Sequence, residues 1–119
     1  MPILLSYEYR HFLLGSENMV VETDFTDNIL TAKLYGEIDH HKASSIRNKI
    51  DSQTESLRPK ELHLDFTGVS FMDSSGIGLI MGRYRQVSLI GGTLKVVNVP
   101  KSLQKIMSLS GIDSLGVLK

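Results

Sequence analysis

Apolar residues recur along this chain with two different spacings, one typical of strands and one typical of helices. The order of these segments restricts the fold more than any other feature of the sequence. Apolar residues at every second position are typical of half-buried strands, whereas apolar residues three and four apart are typical of helices that cover a sheet. Two strand patterns come first, and helical and strand patterns then take turns. Strands are predicted over Val20–Phe25, Ile29–Tyr35, Leu62–Phe66, Leu94–Val99 and Ser114–Leu118.

Three helices are predicted between these strands. Capping and breaking residues mark their ends, namely Asp39 and Pro59 for the first, Ser74 and Gly91 for the second, and Pro100 and Gly111 for the third. A loop over Thr67–Asp73 precedes the second helix. The stripes expected to face the sheet are Ala43, Ile46, Ile50 and Leu57; Ile77, Ile80, Met81, Tyr84 and Val87; and Leu103, Ile106, Met107 and Ser110.

The element order ββαβαβαβ predicts an α/β fold. Strands separated by helices are joined by right-handed parallel crossovers, whereas the opening pair is close enough in sequence to form an antiparallel hairpin. A chain of 119 residues is long enough for one domain and too short for two. We therefore expect a single domain with a mixed sheet flanked by about three α-helices.

Composition excludes several functional classes. Thirteen basic and thirteen acidic residues cancel, and without a basic run we expect no nucleic-acid partner. The chain has no cysteine, which excludes disulfides and cysteine-ligated metals and suits a cytoplasmic protein. No apolar stretch reaches the roughly 20 residues that cross a bilayer, and the start resembles no signal peptide. We expect no membrane partner and no secretion.

The segment Phe71-Met72-Asp73-Ser74-Ser75-Gly76-Ile77-Gly78 carries the most chemical information. It joins a strand to a helix, so Ser74 or Ser75 is expected in the N-cap region. The first backbone N–H groups of a helix lack internal partners, and the macrodipole gives that end partial positive charge. A serine there can cap the helix, which is the commoner role, or carry a phosphate without disrupting the fold.

Two glycines continue from this serine along one side of the predicted helix. Ser74, Gly78 and Gly82 are spaced at i, i+4 and i+8. Each glycine inside a helix costs about 1 kcal/mol relative to alanine, so a pair on one stripe indicates a close approach to the backbone. The approaching group is either a partner protein or a neighbouring strand of the same domain, and the pattern leaves both open.

The sequence gives little support to a metal site or to an enzyme. His40 and His41 are adjacent, so on a helix their side chains diverge by about 100° and do not share one ion. A Ser-His-Asp hydrolase built from Ser74, these histidines and Asp39 lacks the Gly-x-Ser-x-Gly frame. The Gly91-Gly92 pair lacks the Gly-Lys of a phosphate loop. We expect no metal, no cofactor and no catalysis.

Three blocks of sequence carry a family resemblance. Gly36-Glu37-Ile38-Asp39-His40-His41, the Phe71–Gly78 segment and Gly82-Arg83-Tyr84 resemble the signatures of STAS-domain anti-sigma factor antagonists, most of all the sporulation branch that releases sigma factor F. The resemblance divides the chain into an extension, residues 1–18, and a STAS domain, residues 19–119. Family members usually continue into a final helix beyond the equivalent of Lys119. For the extension an added strand, a tail and residues upstream of a start at Met19 remain alternatives.

The resemblance implies a phosphorylation switch. The unphosphorylated protein would bind an anti-sigma factor that is also a serine kinase and free the sigma factor; phosphorylation of Ser74 would end binding, and a PP2C-type phosphatase would restore it. Ser75 would be the neighbouring non-acceptor. The implied partner-binding residues are Glu37, Asp39, Asp73, Ser74, Ser75, Gly76, Gly78 and Gly82. A non-switching STAS scaffold of a stress-signalling assembly is the alternative, and a general-stress antagonist is a variant of the switch.

Overall fold

Four strands lie side by side in chain order in the computed structural model, which describes residues 21–118. β1 (Val21–Thr26) pairs antiparallel with β2 (Ile29–Ile38), and β3 (Glu61–Met72) and β4 (Thr93–Val97) follow in parallel. The predicted mixed sheet with an antiparallel opening pair is therefore confirmed. The predicted extension, residues 1–18, and the first residue of the predicted first strand lie outside the described residues.

Three α-helices and a short 3-10 turn complete the described fold. They are α1 (His40–Leu57), α2 (Ser74–Leu89), α3 (Lys101–Leu109) and the 3-10 turn Ile112–Leu115. Right-handed crossovers between successive parallel strands place α1 and α2 on the same face of the sheet, where they pack against each other. Single residues, Asp39 and Asp73, connect the strands to these two helices.

The core lies between one face of the sheet and the helices. Because side chains alternate across a strand, every second residue of the central strands points to this face and is almost completely buried. Full burial of such an aliphatic side chain stabilises the fold by about 1.5–3 kcal/mol. The layer consists of Leu30, Ala32, Leu34, Leu62, Leu64, Phe66, Leu94 and Val96, covered by Ile46, Ile50, Ile80, Val87, Leu103 and Met107.

β2 and β3 run further than the sequence pattern predicts. The prediction of a loop over Thr67–Asp73 is wrong for residues 67–72, because β3 continues to Met72. Two register shifts between β2 and β3 interrupt the period of two, and the buried residues Phe66, Val69 and Met72 are consequently three apart. Gly36, at φ +77°, takes the left-handed conformation inside β2 that the distortion requires.

The C-terminal part differs from the prediction in two respects. The segment Ser114–Leu118 is not a regular strand, since a 3-10 turn occupies its start and only Leu118 bridges to Val96. β4 ends at Val97 rather than Val99, because Asn98 has a positive φ of 57°. Three predicted helix-stripe residues also lie outside the core, since Ala43 is only half-buried, Leu57 is the last residue of α1 and 39% exposed, and Ser110 is the C-cap of α3.

A buried arginine lies in the seam between α1 and α2. Arg83 is only 5% exposed and was not on the predicted stripe, whereas its stripe neighbour Tyr84 is half-buried and packs against the core. Its Nε lies 2.9 Å from Oδ1 of Asp51 on α1, an ion pair that lacks the alignment of a good hydrogen bond. Desolvation lowers the pKa of Arg83 and raises that of Asp51, and each partner's charge opposes the other's shift. The Asp51 carboxylate therefore partly compensates the positive charge of Arg83, which is buried between α1 and α2.

Gly92, between α2 and β4, is expected to be intolerant of any side chain. An added Cβ would lie 2.8 Å from Cγ2 of Val87 and 2.9 Å from the carbonyl oxygen of Pro59, a backbone atom that cannot rotate away. We expect Gly92→Ala to lower the free energy of unfolding by about 3 kcal/mol in urea denaturation. Gly91→Ala is the matched control, since its Cβ meets no described atom and only its φ of +84° is strained, at about 1 kcal/mol. Equal losses would contradict the steric argument.

Candidate partner-binding site

Among residues 21–118, β2 and β3 project beyond their outer neighbours at one end of the sheet. Within the described residues, β1 pairs with β2 no further than Leu34, and β4 pairs with β3 no further than Asp65. Residues 35–38 of β2 and 68–72 of β3 therefore form a two-stranded extension, here called the terminal ribbon, in which Glu37 pairs with Phe71 and Ile38 with Met72. The terminal ribbon leads directly into α1 and α2, so both helices begin at its tip.

Two aspartates cap these adjacent helix starts. Asp39 Oδ1 accepts a hydrogen bond from the Lys42 backbone N–H at 2.9 Å, and this bond is the main reason that the pKa of Asp39 lies below its usual value. Asp73 Oδ1 accepts from the Ser75 N–H at 2.8 Å. The Asp73 N–H donates to the Ile38 carbonyl at 3.2 Å and so ties the two caps together. The predicted capping role of Asp39 is confirmed.

Ser74 is the first residue of α2, and it is exposed. The expectation that a serine hydroxyl caps the helix is wrong, because the Asp73 carboxylate takes that place. The Ser74 hydroxyl makes no hydrogen bond to the described residues, whereas Ser75 is half-buried and its N–H is bound to Asp73. The site thus presents one accessible hydroxyl at the positive end of a helix dipole.

The three glycines of this region have different surroundings. Gly76 is buried, and a Cβ there would collide with the Met72 side chain, so its small size serves internal packing. Gly78 is exposed and Gly82 half-buried, and no described atom lies within 4 Å of a Cβ added at either. Packing within residues 21–118 therefore gives no reason for the second and third glycines, and an approach from outside remains open.

The terminal ribbon presents Glu37 and Phe71 on its other face. Ile38 and Met72 are buried towards the helices, so by alternation their neighbours Glu37 and Phe71 point away from them, and both are exposed. The family resemblance included Glu37 among the partner-binding residues. Phe71 was not identified as a surface residue, because the predicted loop Thr67–Asp73 concealed its place in β3. Glu37, Asp39 and Asp73 place three carboxylates at this end of the described fold.

The histidines of the motif take no part in a metal site within the part of the chain that the structure covers. His40 and His41 are exposed in the first turn of α1, and residues 21–118 contain no group of three His, Cys, Asp or Glu side chains arranged to hold an ion. Among the same residues, no helix combines the length and apolar character required to cross a membrane. Within the described residues the site consists of an exposed hydroxyl, carboxylates and open helix backbone.

This fold and site define a STAS domain. Residues 20–118 match the family described as STAS domain, and the chain belongs to that family.

Two relatives similar to this chain are anti-sigma factor antagonists, which confirms the resemblance carried by the motifs. The anti-sigma F factor antagonist of Lysinibacillus sphaericus is 33% identical over 87 residues, 73% of this chain and 74% of the relative. The anti-sigma-B factor antagonist of Bacillus subtilis (strain 168) is 29% identical over 98 residues, 82% of this chain and 88% of the relative.

Two solved structures are also similar. The antagonist SpoIIAA in its unphosphorylated form is 29% identical with a TM-score of 0.75, covering 84% of this chain and 86% of that chain. The Bacillus cell fate determinant SpoIIAA in the phosphorylated form is 29% identical with a TM-score of 0.68, covering 84% and 89%. The fold of this chain is therefore similar to both forms.

Proposed function

We propose that this protein is an anti-sigma factor antagonist that is switched by phosphorylation of Ser74. Its unphosphorylated form binds an anti-sigma factor with serine kinase activity and thereby releases the sigma factor. The kinase phosphorylates Ser74 and the complex dissociates; a PP2C-type phosphatase then restores the binding form in the cytoplasm. The observation that carries the proposal is the exposed Ser74 hydroxyl, which has no partner among the described residues and lies at the start of α2. The names of the relatives support it.

The chemistry requires little of this protein besides access. The Ser74 oxygen attacks the γ-phosphorus of ATP held by the kinase, the bond to the β-phosphate oxygen breaks, and ADP leaves. The hydroxyl proton passes to a base that the kinase supplies, as in other phosphoryl-transfer enzymes that act on a hydroxyl. The protein is therefore a substrate and a binding module, and we propose no catalytic residue in it.

The domain is able to carry the phosphate without refolding. The Ser74 hydroxyl makes no hydrogen bond to the described residues that the modification would break, and a helix N-terminus stabilises an anion. Phosphate adds about −1.5 to −2 charges at neutral pH, next to Asp73 and near Asp39. The similarity of this chain to both forms of SpoIIAA supports a switch that acts at the surface.

The proposed contact surface extends from the terminal ribbon along α2. Open backbone at Gly78 and Gly82 permits a partner to lie directly against the helix, whereas Gly76 supports the surface from below by accommodating Met72. The proposed partner-binding residues are Glu37, Asp39, Asp73, Ser74, Ser75, Gly76, Gly78 and Gly82. Relatives named for sigma F and for sigma B are both similar to this chain, so the pathway is either sporulation or general stress.

Replacement of Ser74 by alanine tests the proposal directly. The cognate anti-sigma factor kinase and ATP are expected to add about 80 Da to the wild type, the mass of one phosphate group. We expect no addition to Ser74→Ala, which retains kinase binding within about threefold because only an uncommitted hydroxyl is lost. Intact-mass spectrometry with peptide mapping measures the first result, and calorimetry the second.

Ser75→Ala is the matched control, since the capping bond at this position comes from its backbone and survives the change. We expect intact-mass spectrometry and peptide mapping to show one phosphate on this variant, at Ser74, whatever its affinity for the kinase. Phosphate at a residue other than Ser74 would contradict the assignment, and binding without any phosphorylation would favour the non-switching scaffold.

A further inference from the structure

Phe71 is a large apolar side chain left in solvent close to Ser74. It is 52% exposed, whereas Phe66, five residues earlier in the same strand, is fully buried. Its packing therefore contributes little to the core. Exposed aromatic residues on binding surfaces frequently contribute a large part of the binding energy, because they bury a large area when a partner covers them.

The position of Phe71 distinguishes it from the other exposed apolar side chains among residues 21–118. Leu57, Leu89 and Leu109 are the last residues of their helices, Leu118 bridges to the middle of β4, and Phe25 pairs with Leu30 near the β1–β2 turn. Helices that return from the carboxyl ends of parallel strands finish at the opposite end of the sheet. Phe71 is thus the large exposed apolar side chain at the Ser74 end of the described fold.

A single partner is able to cover both Phe71 and Ser74. Three chain steps separate them, so their Cα atoms are at most about 11 Å apart. A standard interface covers roughly 800 Å² of each protein, a patch about 30 Å across. Phe71 points away from Met72 and α2, so a partner that reaches both residues folds over the tip of the terminal ribbon. Glu37, the cross-strand neighbour of Phe71, lies on the same face.

We propose that Phe71 is the apolar anchor by which the anti-sigma factor kinase holds this end of the protein. The inference rests on the proposed function and assigns separate roles to neighbouring residues: Phe71 supplies docking affinity, and Ser74 receives the phosphate. The chemistry of the two exposed side chains defines the complementary surface on the kinase. It is an apolar pocket for the Phe71 ring, bordered by a basic side chain that faces Glu37.

Phe71→Ala tests the anchor with Leu89→Ala as its matched control. Both residues are exposed, 52% and 80%, but Leu89 ends α2 far from Ser74. We expect Phe71→Ala to raise the Kd for the kinase and the KM for Ser74 phosphorylation at least tenfold, with kcat within twofold of wild type. Leu89→Ala is expected to change none of these values. Phe71→Leu retains an apolar side chain on the strand and is expected to recover most of the affinity.

The outcomes separate failure of the anchor from failure of the proposed function. If the wild type is bound and phosphorylated while Phe71→Ala has an unchanged Kd, the anchor is wrong and the proposed function stands. A fall in kcat at constant KM also overturns the anchor, because it indicates an effect on Ser74 rather than on docking. If the wild type neither binds nor accepts phosphate, both proposals fail. Urea denaturation of Phe71→Leu and Phe71→Ala verifies that each variant is folded.

Discussion

Protein phosphorylated at Ser74 is expected to bind the kinase more than 100-fold more weakly than unphosphorylated protein. The phosphate brings about two negative charges to a surface that already has Asp73 and Asp39 at the tips of two helices. A partner that fits the unphosphorylated surface closely must then accommodate both the added charge and the added volume. A loss of about 3 kcal/mol of binding free energy is sufficient for this effect. Calorimetric titration of enzymatically phosphorylated and untreated protein measures it.

Charge and volume are separated by two isosteric variants. Ser74→Asn and Ser74→Asp have side chains of nearly equal size, and only the aspartate is charged. We expect the asparagine variant to bind within about threefold of wild type and the aspartate variant about tenfold more weakly, since it brings one charge instead of nearly two. Raising the salt concentration from 0.1 M to 1 M shortens the Debye length from about 10 Å to about 3 Å. The difference in kinase affinity between the asparagine and aspartate variants should therefore become smaller. Equal affinities of the two variants would show that charge is not the mechanism.

The sequence predicted the layered fold correctly because its strong patterns reflect burial on one face. The central strands place Leu30, Leu62 and Leu94 in one layer, and the alternation of residues in these regular stretches follows the actual sheet. The start of α1 was also predictable, since Asp39 is the capping residue nearest the first helical stripe. These features depend on local order in the chain, which a single sequence contains.

The features that escaped prediction depend on tertiary geometry. Asp73 and Ser74 are both good N-cap residues, and only the hydrogen bond to Ser75 assigns the cap to the aspartate and leaves the serine exposed. The register shifts of the terminal ribbon spoil the period of two, so that Phe71 could not be assigned to a surface. A buried arginine contradicts ordinary residue preferences until its partner Asp51 is known to lie on the adjacent helix.

Substitutions of Gly78 are expected to have opposite effects on the free energy of unfolding and on the affinity for the kinase. It lies inside α2, exposed, with no described atom within 4 Å of an added Cβ, so Gly78→Ala should raise the free energy of unfolding by about 1 kcal/mol through helix propensity alone. The same methyl group separates the helix backbone from a partner that lies against it. A longer side chain, in Gly78→Gln, should therefore weaken kinase binding at least about 100-fold, or roughly 3 kcal/mol, while the fold remains at least as stable as the wild type.

Ser88→Gln is the control for this experiment, because Ser88 is also exposed on α2 but lies about 15 Å further along the helix axis. We expect Ser88→Gln to leave both the free energy of unfolding and the affinity for the kinase unchanged. A loss of stability in Gly78→Ala would mean that the glycine packs within the protein itself, and a stable Gly78→Gln that binds as tightly as the wild type would mean that the partner does not touch this part of α2. Selection for stability alone would not retain a helical glycine in open surroundings. The opposite signs of the two effects therefore distinguish a glycine that serves recognition from one that serves folding.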